Sequence, residues 1–189
     1  IQSTALQLCM MTAQIANGGY AIKPKIIVDS NPVSYEDAKQ SMESGLLFDS
    51  NSESLLDKKL FKDKKNIKII QEAMFSSTNE RFGTSYKSRI DDPKYQFAGK
   101  TGTAQVKRIS KRERELDLEL EQIPYKDRDH ALYVAYGPYI NPRYALSIIV
   151  EHGGSGSKAA APIAKELFKL IIDRHNLRDQ QSNFERITI

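Results

Sequence analysis

Three stretches of the chain place apolar residues at the three- and four-residue steps typical of an amphipathic helix. The first covers about residues 4–17, because Thr4 and Gln7 form a capping box and Asn17-Gly18-Gly19 ends the pattern. The second starts near residue 66, ends near Gly83 as a C-cap, and has an apolar face of Ile67, Ile70, Met74, Thr78 and Phe82. The third follows the glycine-rich residues 153–156, and its apolar face is Ala160, Ile163, Ala164, Leu167, Leu170 and Ile171.

Four other stretches predict β-strands. Residues 20–28 are rich in β-branched side chains at period two and contain Pro24, which favours an edge strand. Residues 95–106 are predicted as a short strand between proline and charged residues. Residues 132–136 and 144–150 are apolar runs joined through a proline-containing loop, which is typical of an antiparallel hairpin. The predicted order is helix, strand, helix, three strands, helix.

Polar segments divide these elements. Residues 29–63 are rich in serine, acidic residues and lysine, and are predicted to be mostly loop. Residues 107–129 contain seven basic and seven acidic side chains, so they are predicted to be a charged, solvated insertion. From Asn176 onward the chain is polar and predicted to be loose. The expected organisation is one domain over residues 1–175, followed by a polar tail over residues 176–189.

Composition narrows the possible classes of protein. The chain has 189 residues, of which 40% are hydrophobic and 28% charged, as in ordinary globular domains. Its net charge of +4 is spread among interspersed signs, which does not favour a nucleic-acid-binding domain. Its longest apolar run falls short of the roughly 20 residues that span a bilayer, so any membrane anchor is expected upstream. The single cysteine, Cys9, and three scattered histidines lack metal-ligand spacing, so no metal or cofactor is expected.

The candidate chemistry lies in the predicted strand at residues 95–106. Lys100 supplies a positive charge for a substrate carboxylate, and the hydroxyls of Thr101 and Thr103 can bind the same group. Gly102 has no side chain, so a ligand backbone can approach closely. A peptide-like ligand can add alongside a strand edge, and the Thr103 N–H can hold a developing oxyanion. These four residues are the predicted substrate-binding residues.

Lys-Thr-Gly is also a motif of penicillin-binding proteins and class A β-lactamases, and the sequence around it resembles the penicillin-binding proteins. The segments that carry the resemblance, in unbroken order, are residues 3–8, 16–20, 97–106, 130–138 and 144–154 and the last helix. The amino-acid sequences of these segments are most similar to those of the elongation-type class B enzymes. The resemblance implies an α+β fold, namely the C-terminal portion of the serine β-lactamase/transpeptidase-like fold, with an antiparallel sheet packed against helices.

The function implied by the resemblance is peptidoglycan D,D-transpeptidation through a serine acyl-enzyme, which β-lactams trap. The implied ligands are D-Ala-D-Ala stem peptides and β-lactams. The implied location is the bacterial inner membrane, with the domain facing the periplasm beside a membrane glycan polymerase. By the resemblance, Lys100 and Thr101 hold the terminal carboxylate, Gly102 permits its approach, and Thr103 contributes its hydroxyl and an oxyanion-binding N–H. No metal or cofactor is required.

That family uses a Ser-x-x-Lys nucleophile pair and a Ser-x-Asn motif, both of which precede the Lys-Thr-Gly strand. The chain is expected to begin after them, so no catalytic side chain is predicted in it, and the upstream half of the domain is an expected partner. Ser155 and Lys158 have the nucleophile spacing but follow the strand, in a predicted turn. Ser77-Thr78-Asn79 matches Ser-x-Asn but lies in a predicted helix, where its hydroxyls are expected to be solvated or cap-related. Neither set is expected to be catalytic.

The remaining candidate residues have structural interpretations. Gly154, Gly156 and Ala159 match the spacing of a dinucleotide-binding turn, but that function needs a parallel strand afterwards, so a tight turn is favoured. The other expectations are a small core residue at Cys9, an edge histidine with a structural hydrogen bond at His130, and a helix C-terminal cation at His175.

Two alternatives to the transpeptidase stay open. A serine β-lactamase or D,D-carboxypeptidase hydrolyses its acyl-enzyme with water, and a non-catalytic binding module keeps the strand without the chemistry. The Lys-Thr-Gly strand does not separate these possibilities.

Overall fold

The structure, a computed structural model, describes residues 2–22, 24, 59–107 and 118–187, with side chains described as far as residue 180. The described part contains three α-helices and one three-stranded antiparallel sheet with strand order β1-β2-β3. The helices are α1 (Ala5–Ala16), α2 (Lys64–Asn79) and α3 (Ala161–Ile187), and the strands are β1 (Ala98–Ala104), β2 (His130–Gly137) and β3 (Tyr144–Val150). This architecture confirms the predicted α+β class.

Helix α1 begins and ends at local signals. The Thr4 hydroxyl accepts a hydrogen bond from the Gln7 N–H at 3.2 Å, and the Gln7 side-chain oxygen accepts one from the Thr4 N–H at 2.9 Å. At the other end, the Asn17 side-chain oxygen accepts hydrogen bonds from the N–H groups of Gly19 and Tyr20. Gly19 has a φ of +94°, a conformation that glycine adopts without strain. The predicted first helix is therefore confirmed at both ends.

Helix α2 ends earlier than predicted. Ile67, Met74 and Thr78 are buried as expected, but the helix ends at Asn79 and Phe82 is 99% exposed. The prediction that Phe82 is apolar core and that Gly83 is the C-cap is wrong, because the backbone becomes extended at the C-cap residue Glu80, with φ −96° and ψ 151°. The chain then folds back across the last turn of the helix.

The three strands that were predicted around the Lys-Thr-Gly sequence are confirmed. In the register of the sheet, Thr101 lies opposite Tyr133, and Tyr133 lies opposite Ile148. Strands β2 and β3 form the expected antiparallel hairpin, whose loop begins with a cis peptide bond between Gly137 and Pro138.

The first predicted strand, at residues 20–28, lies mostly outside the described residues. Where it is described, Tyr20 forms an isolated antiparallel bridge with Lys59. Most of the predicted loop at residues 29–63, and residues 108–117 of the charged insertion, also lie outside the described part. The rest of the insertion forms two short 3₁₀ turns, at Leu120–Gln122 and Tyr125–Asp127.

Helix α3 follows a π-helical turn at Gly156–Ala160 and continues to residue 187. The expectation of a loose segment from Asn176 onward is therefore wrong. Two contacts hold this half of the helix to the start of β3: the Tyr144 hydroxyl lies 2.6 Å from His175 Nδ1, and Arg143 forms a 3.2 Å ion pair with Asp179.

His175 is consequently inside the helix and is not the helix C-terminal cation that was expected. Burial and the nearby positive charge of Arg178 lower the pKa of its imidazole. No helix in the described residues has both the length and the apolar character needed to cross a membrane.

The two faces of the sheet are covered by different helices. On one face, the rings of Phe97 and Phe168 stack with centroids 4.8 Å apart, within a core that α3 shares with the sheet. On the other face, the buried residues are Ile15 of α1, Met74 of α2, Ala98 of β1 and Tyr136 of β2. The predicted packing of the sheet against helices is confirmed, with α3 on one face and α1 and α2 on the other.

Candidate functional site

The predicted substrate-binding residues lie on β1, at the edge of the sheet opposite β3. Lys100 and Thr103 are exposed, while Thr101 and Gly102 are half-buried. All four are therefore accessible along one short stretch of strand. An accessible strand edge is the element on which an extended peptide can add by main-chain hydrogen bonds.

Helix α2 covers the first part of this edge. The Asn79 side-chain amide donates to the Phe97 carbonyl at 3.0 Å, and the Thr78 hydroxyl oxygen lies 3.4 Å from the Gly99 carbonyl oxygen. In a β-strand the backbone N–H and C=O groups of alternate residues point to the same edge. Those of Thr101 and Thr103 therefore point in the same direction as the Gly99 carbonyl. The alternation therefore directs the Thr103 N–H outward, on an exposed residue beyond the part that α2 covers.

Lys100 and Thr101 bring a cation and a hydroxyl together at this point of the edge. The Lys100 ammonium donates to the Thr101 carbonyl at 2.8 Å and lies 3.4 Å from the Thr101 hydroxyl oxygen. An ammonium and a hydroxyl that converge in this way can share one carboxylate through charge-assisted hydrogen bonds. The structure thus places two of the predicted residues side by side, with Thr103 two positions further along the strand.

A buried cluster of hydroxyls lies directly behind the strand. The Tyr133 hydroxyl is 2.9 Å from that of Thr78 and donates to that of Ser85 at 3.0 Å. A Cβ on Gly99 would lie 2.4 Å from the Tyr133 hydroxyl, so only glycine fits at this position of β1. Burial raises the pKa of Tyr133, although its hydrogen bonds to Ser85 and Thr78 act in the opposite direction.

The sequence interpretation missed this cluster. Thr78 was expected to carry a solvated or cap-related hydroxyl, but its side chain is fully buried and bonded across the core. Asn79 likewise reaches from the end of the helix to β1. The one available signal was a threonine on the apolar face of a helix, because a hydroxyl at a buried position needs a partner.

The sequences that resemble nucleophile motifs have local partners. The Ser77 hydroxyl is 3.3 Å from that of Thr84, and the Ser155 hydroxyl is 3.0 Å from that of Ser157. As predicted, Ser155 lies in the turn between β3 and the last helix, where Gly154 has a φ of +73°. The strands before this turn are antiparallel, which does not match the parallel arrangement of a dinucleotide-binding unit.

Two further expectations concern single side chains. His130 Nδ1 accepts a hydrogen bond from the His152 N–H at 3.0 Å, which confirms the structural hydrogen bond. The histidine begins the central strand β2, so the expectation of an edge position is wrong. Cys9 is half-buried between α1 and β3, with its sulfur 3.4 Å from the Ala145 carbonyl oxygen, and burial raises the pKa of its thiol.

Comparisons with known proteins agree with this arrangement. The family model described as the penicillin binding protein transpeptidase domain matches residues 1–169. The peptidoglycan D,D-transpeptidase MrdA of Salmonella typhimurium is 35% identical over 105 residues, which cover 56% of this chain and 16% of that protein. The chain therefore matches about a sixth of the length of this curated relative.

Solved structures show the same fold. The complex between the penicillin-binding protein PBP2 and MreC from Helicobacter pylori matches with a TM-score of 0.61 and 26% identity, covering 90% of this chain and 25% of that one. Pseudomonas aeruginosa PBP2 in complex with WCK 5153 matches with a TM-score of 0.61 and 29% identity, covering 89% of this chain and 30% of that one. The chain therefore belongs to the penicillin-binding protein transpeptidase domain family, and its relatives named here are of the PBP2 type.

Proposed function

We propose that this chain is part of a peptidoglycan D,D-transpeptidase, in which it supplies the strand that binds the substrate. The observation that supports this most is the meeting of the Lys100 ammonium and the Thr101 hydroxyl at the accessible edge of β1. The relative MrdA is named for the same activity.

In the proposed reaction, a serine hydroxyl attacks the carbonyl carbon of the D-Ala-D-Ala peptide bond. The carbon–nitrogen bond breaks, D-Ala leaves, and the acyl group passes from the serine to the amine of a neighbouring stem peptide. Lys100 and Thr101 bind the terminal carboxylate, while Gly102 leaves room for the ligand backbone. The outward N–H of Thr103 stabilises the oxyanion that develops on the attacked carbonyl. A β-lactam presents its carboxylate to the same pair, and its ring opens onto the serine.

The carboxylate assignment can be tested by measuring the acylation rate of the complete protein with a fluorescent penicillin. Lys100→Ala is expected to lower the second-order acylation constant by roughly tenfold to a hundredfold, since a hydrogen bond to a charged group is lost. Lys65→Ala, at an exposed lysine in the first turn of α2, is the charge-matched control and should acylate normally. Equal acylation by the two variants would exclude Lys100 from the site.

We further propose that the nucleophile lies outside this chain. Incubation of the isolated chain with the fluorescent penicillin should leave it unlabelled, whereas the complete protein should be labelled at a serine upstream of residue 1. Peptide mapping distinguishes the outcomes, because label on Ser77 or Ser155 would place the nucleophile here after all.

The open alternatives differ in what happens to the acyl group. A transpeptidase transfers it to an amine, a β-lactamase or carboxypeptidase releases it to water, and a binding module forms no acyl-enzyme. Product analysis of the complete protein with a depsipeptide substrate and an added D-amino acid separates the three, and we expect transfer to the amine. Predominant hydrolysis would favour the β-lactamase or carboxypeptidase.

We propose that the complete protein works at the inner membrane, with this domain in the periplasm beside a membrane glycan polymerase. The comparisons support the part of this proposal that concerns a protein partner, since the matched Helicobacter pylori structure is a complex of PBP2 with MreC. Cross-linking of the complete protein in cells, followed by identification of its neighbours, tests this proposal. Recovery of cytoplasmic proteins alone would contradict it.

A further inference from the structure

The segment that follows α2 is held tightly against the last turn of that helix. A Cβ on Gly83 would lie 2.2 Å from the Ser77 carbonyl oxygen, so the backbone approaches the helix as closely as a glycine allows. Two residues later, both the N–H and the hydroxyl of Ser85 donate to the same Ser77 carbonyl, at 3.1 and 3.0 Å. Because Gly83 and Ser85 are both anchored to the helix, the position of Thr84 between them is defined.

This anchoring brings the exposed Thr84 to the substrate-binding strand. Its hydroxyl oxygen lies 3.0 Å from the Thr101 hydroxyl oxygen and 3.3 Å from that of Ser77. Three hydroxyls from the helix, the loop and the strand therefore form one chain that ends beside the Lys100 ammonium, which lies 3.4 Å from the Thr101 oxygen.

When a ligand is bound, the donor and the acceptor in each hydrogen bond of this chain of hydroxyls are determined. A hydroxyl has one proton to donate and two lone pairs to accept with. To donate to a ligand carboxylate, Thr101 must use its only proton for the ligand and accept from its other neighbours. The Thr84 hydroxyl then donates to Thr101, and its own oxygen accepts from Ser77.

We propose that Thr84 is a positioning residue, whose hydroxyl orients that of Thr101 as a donor to the carboxylate of the substrate or of a β-lactam. The inference rests on the proposed function, since it assumes that Thr101 binds this carboxylate. Thr84 acts through Thr101 and is not itself a catalytic residue.

The test uses penicillin acylation of the complete protein, with the apparent binding constant separated from the maximal acylation rate. Thr84→Val keeps the shape of the side chain and removes the hydroxyl, and is expected to weaken apparent binding by roughly fivefold. Thr84→Ser restores the hydroxyl and should return binding to within about twofold of the original protein. Ser76→Ala, which removes a hydroxyl bonded to Glu80 on the same helix end, is the matched control and should change neither constant.

A second measurement tests whether Thr84 acts through Thr101. In a Thr101→Val background, adding Thr84→Val should cause no further loss, because the group that Thr84 orients is already gone. An additive loss in the double variant, or normal binding by Thr84→Val, would overturn the inference while leaving the proposed function intact. If Thr101→Val alone binds penicillin normally, the proposed carboxylate site itself fails.

Discussion

Each face of the sheet buries one tyrosine of β2, and the two tyrosine hydroxyls differ in their hydrogen bonding. On the face covered by α3, the Tyr133 hydroxyl is bonded to Thr78 and Ser85. On the face covered by α1 and α2, Tyr136 is only 1% exposed, and its hydroxyl has no hydrogen-bond partner among the described residues. Burial raises the pKa of both side chains.

The difference shows where the fold places its polar interactions. The cluster around Tyr133 connects the end of α2 and its following loop to the back of β1, close to Gly99. Tyr136 instead contributes its ring to an apolar core with Ile15 and Met74. The hydroxyls of the first face therefore hold β1 in place, whereas the second face holds the sheet to its helices by packing. Four substitutions in the complete protein, ordered by expected effect, test this contrast.

The largest effect is expected from Gly99→Ala. The added methyl group would lie 2.4 Å from the Tyr133 hydroxyl, so either the tyrosine or β1 must move. Overpacking of this kind costs about 1–3 kcal/mol of unfolding free energy, and the upper end is expected here because the strand is also bonded to α2. Urea unfolding measures the loss. A stability equal to that of the original protein would show that the cluster does not define the position of β1.

Thr78→Val is expected to have the next largest effect, about 2 kcal/mol. The substitution keeps the shape of the side chain but leaves the Tyr133 hydroxyl with one partner fewer in a buried site. It also removes the hydroxyl that lies 3.4 Å from the Gly99 carbonyl oxygen, so the amide protons of β1 should exchange faster with solvent. Thr12→Val, at a buried threonine whose hydroxyl donates to the Leu8 carbonyl within α1 at 2.7 Å, is a suitable control. Faster exchange in β1 is not expected for that control.

Removing each tyrosine hydroxyl in turn tests the difference between the two faces of the sheet. Tyr133→Phe should lower the unfolding free energy by about 1–1.5 kcal/mol, because Thr78 and Ser85 lose a bonded partner. Tyr136→Phe should leave stability unchanged or raise it slightly, because the buried hydroxyl that it removes has no described partner. Equal losses from the two variants would show that the faces do not differ as described.

The smallest effect is a dependence on pH. A tyrosine whose pKa is raised in the folded state stays protonated there, while in the unfolded state it ionises near pH 10. Because burial disfavours the ionised form, the folded state loses stability relative to the unfolded state as the pH rises above about 10. The unfolding free energy should fall between about pH 9 and pH 11, and Tyr136→Phe should reduce this fall by about 1 kcal/mol. An identical pH dependence in both proteins would mean that the Tyr136 pKa is not raised.

Local signals in the sequence predicted much of the fold. The capping box of Thr4 and Gln7 is satisfied by residues three positions apart, so it works before any tertiary contact exists. The apolar runs of β2 and β3 likewise predicted a hairpin, because the two strands are close together in the sequence. The Lys-Thr-Gly sequence indicated a candidate binding strand by its residue types, and the structure brings Lys100 and Thr101 together on β1.

The errors occurred where turns and contacts between elements override the apolar or polar pattern. Phe82 continued the apolar spacing of α2, yet the chain turns away at Glu80 and folds back on the helix. The polar segment from Asn176 was predicted to be loose, yet it is helical and is held next to the start of β3 by the ion pair of Arg143 and Asp179. The polar residues within one segment do not indicate an ion-pair partner 36 residues away in the sequence.

By itself, the sequence determined the class of the fold, the position of the Lys-Thr-Gly strand and the family to which the chain belongs. Only the tertiary structure decided that Thr78 and Asn79 cover the first part of that strand edge, and that Thr84 meets Thr101. The physical reason is separation along the chain: the hydroxyls of Thr78 and Tyr133 are 55 residues apart and become partners only when the helix, loop and sheet are packed together. Motifs record which groups are present, whereas packing decides which of them meet.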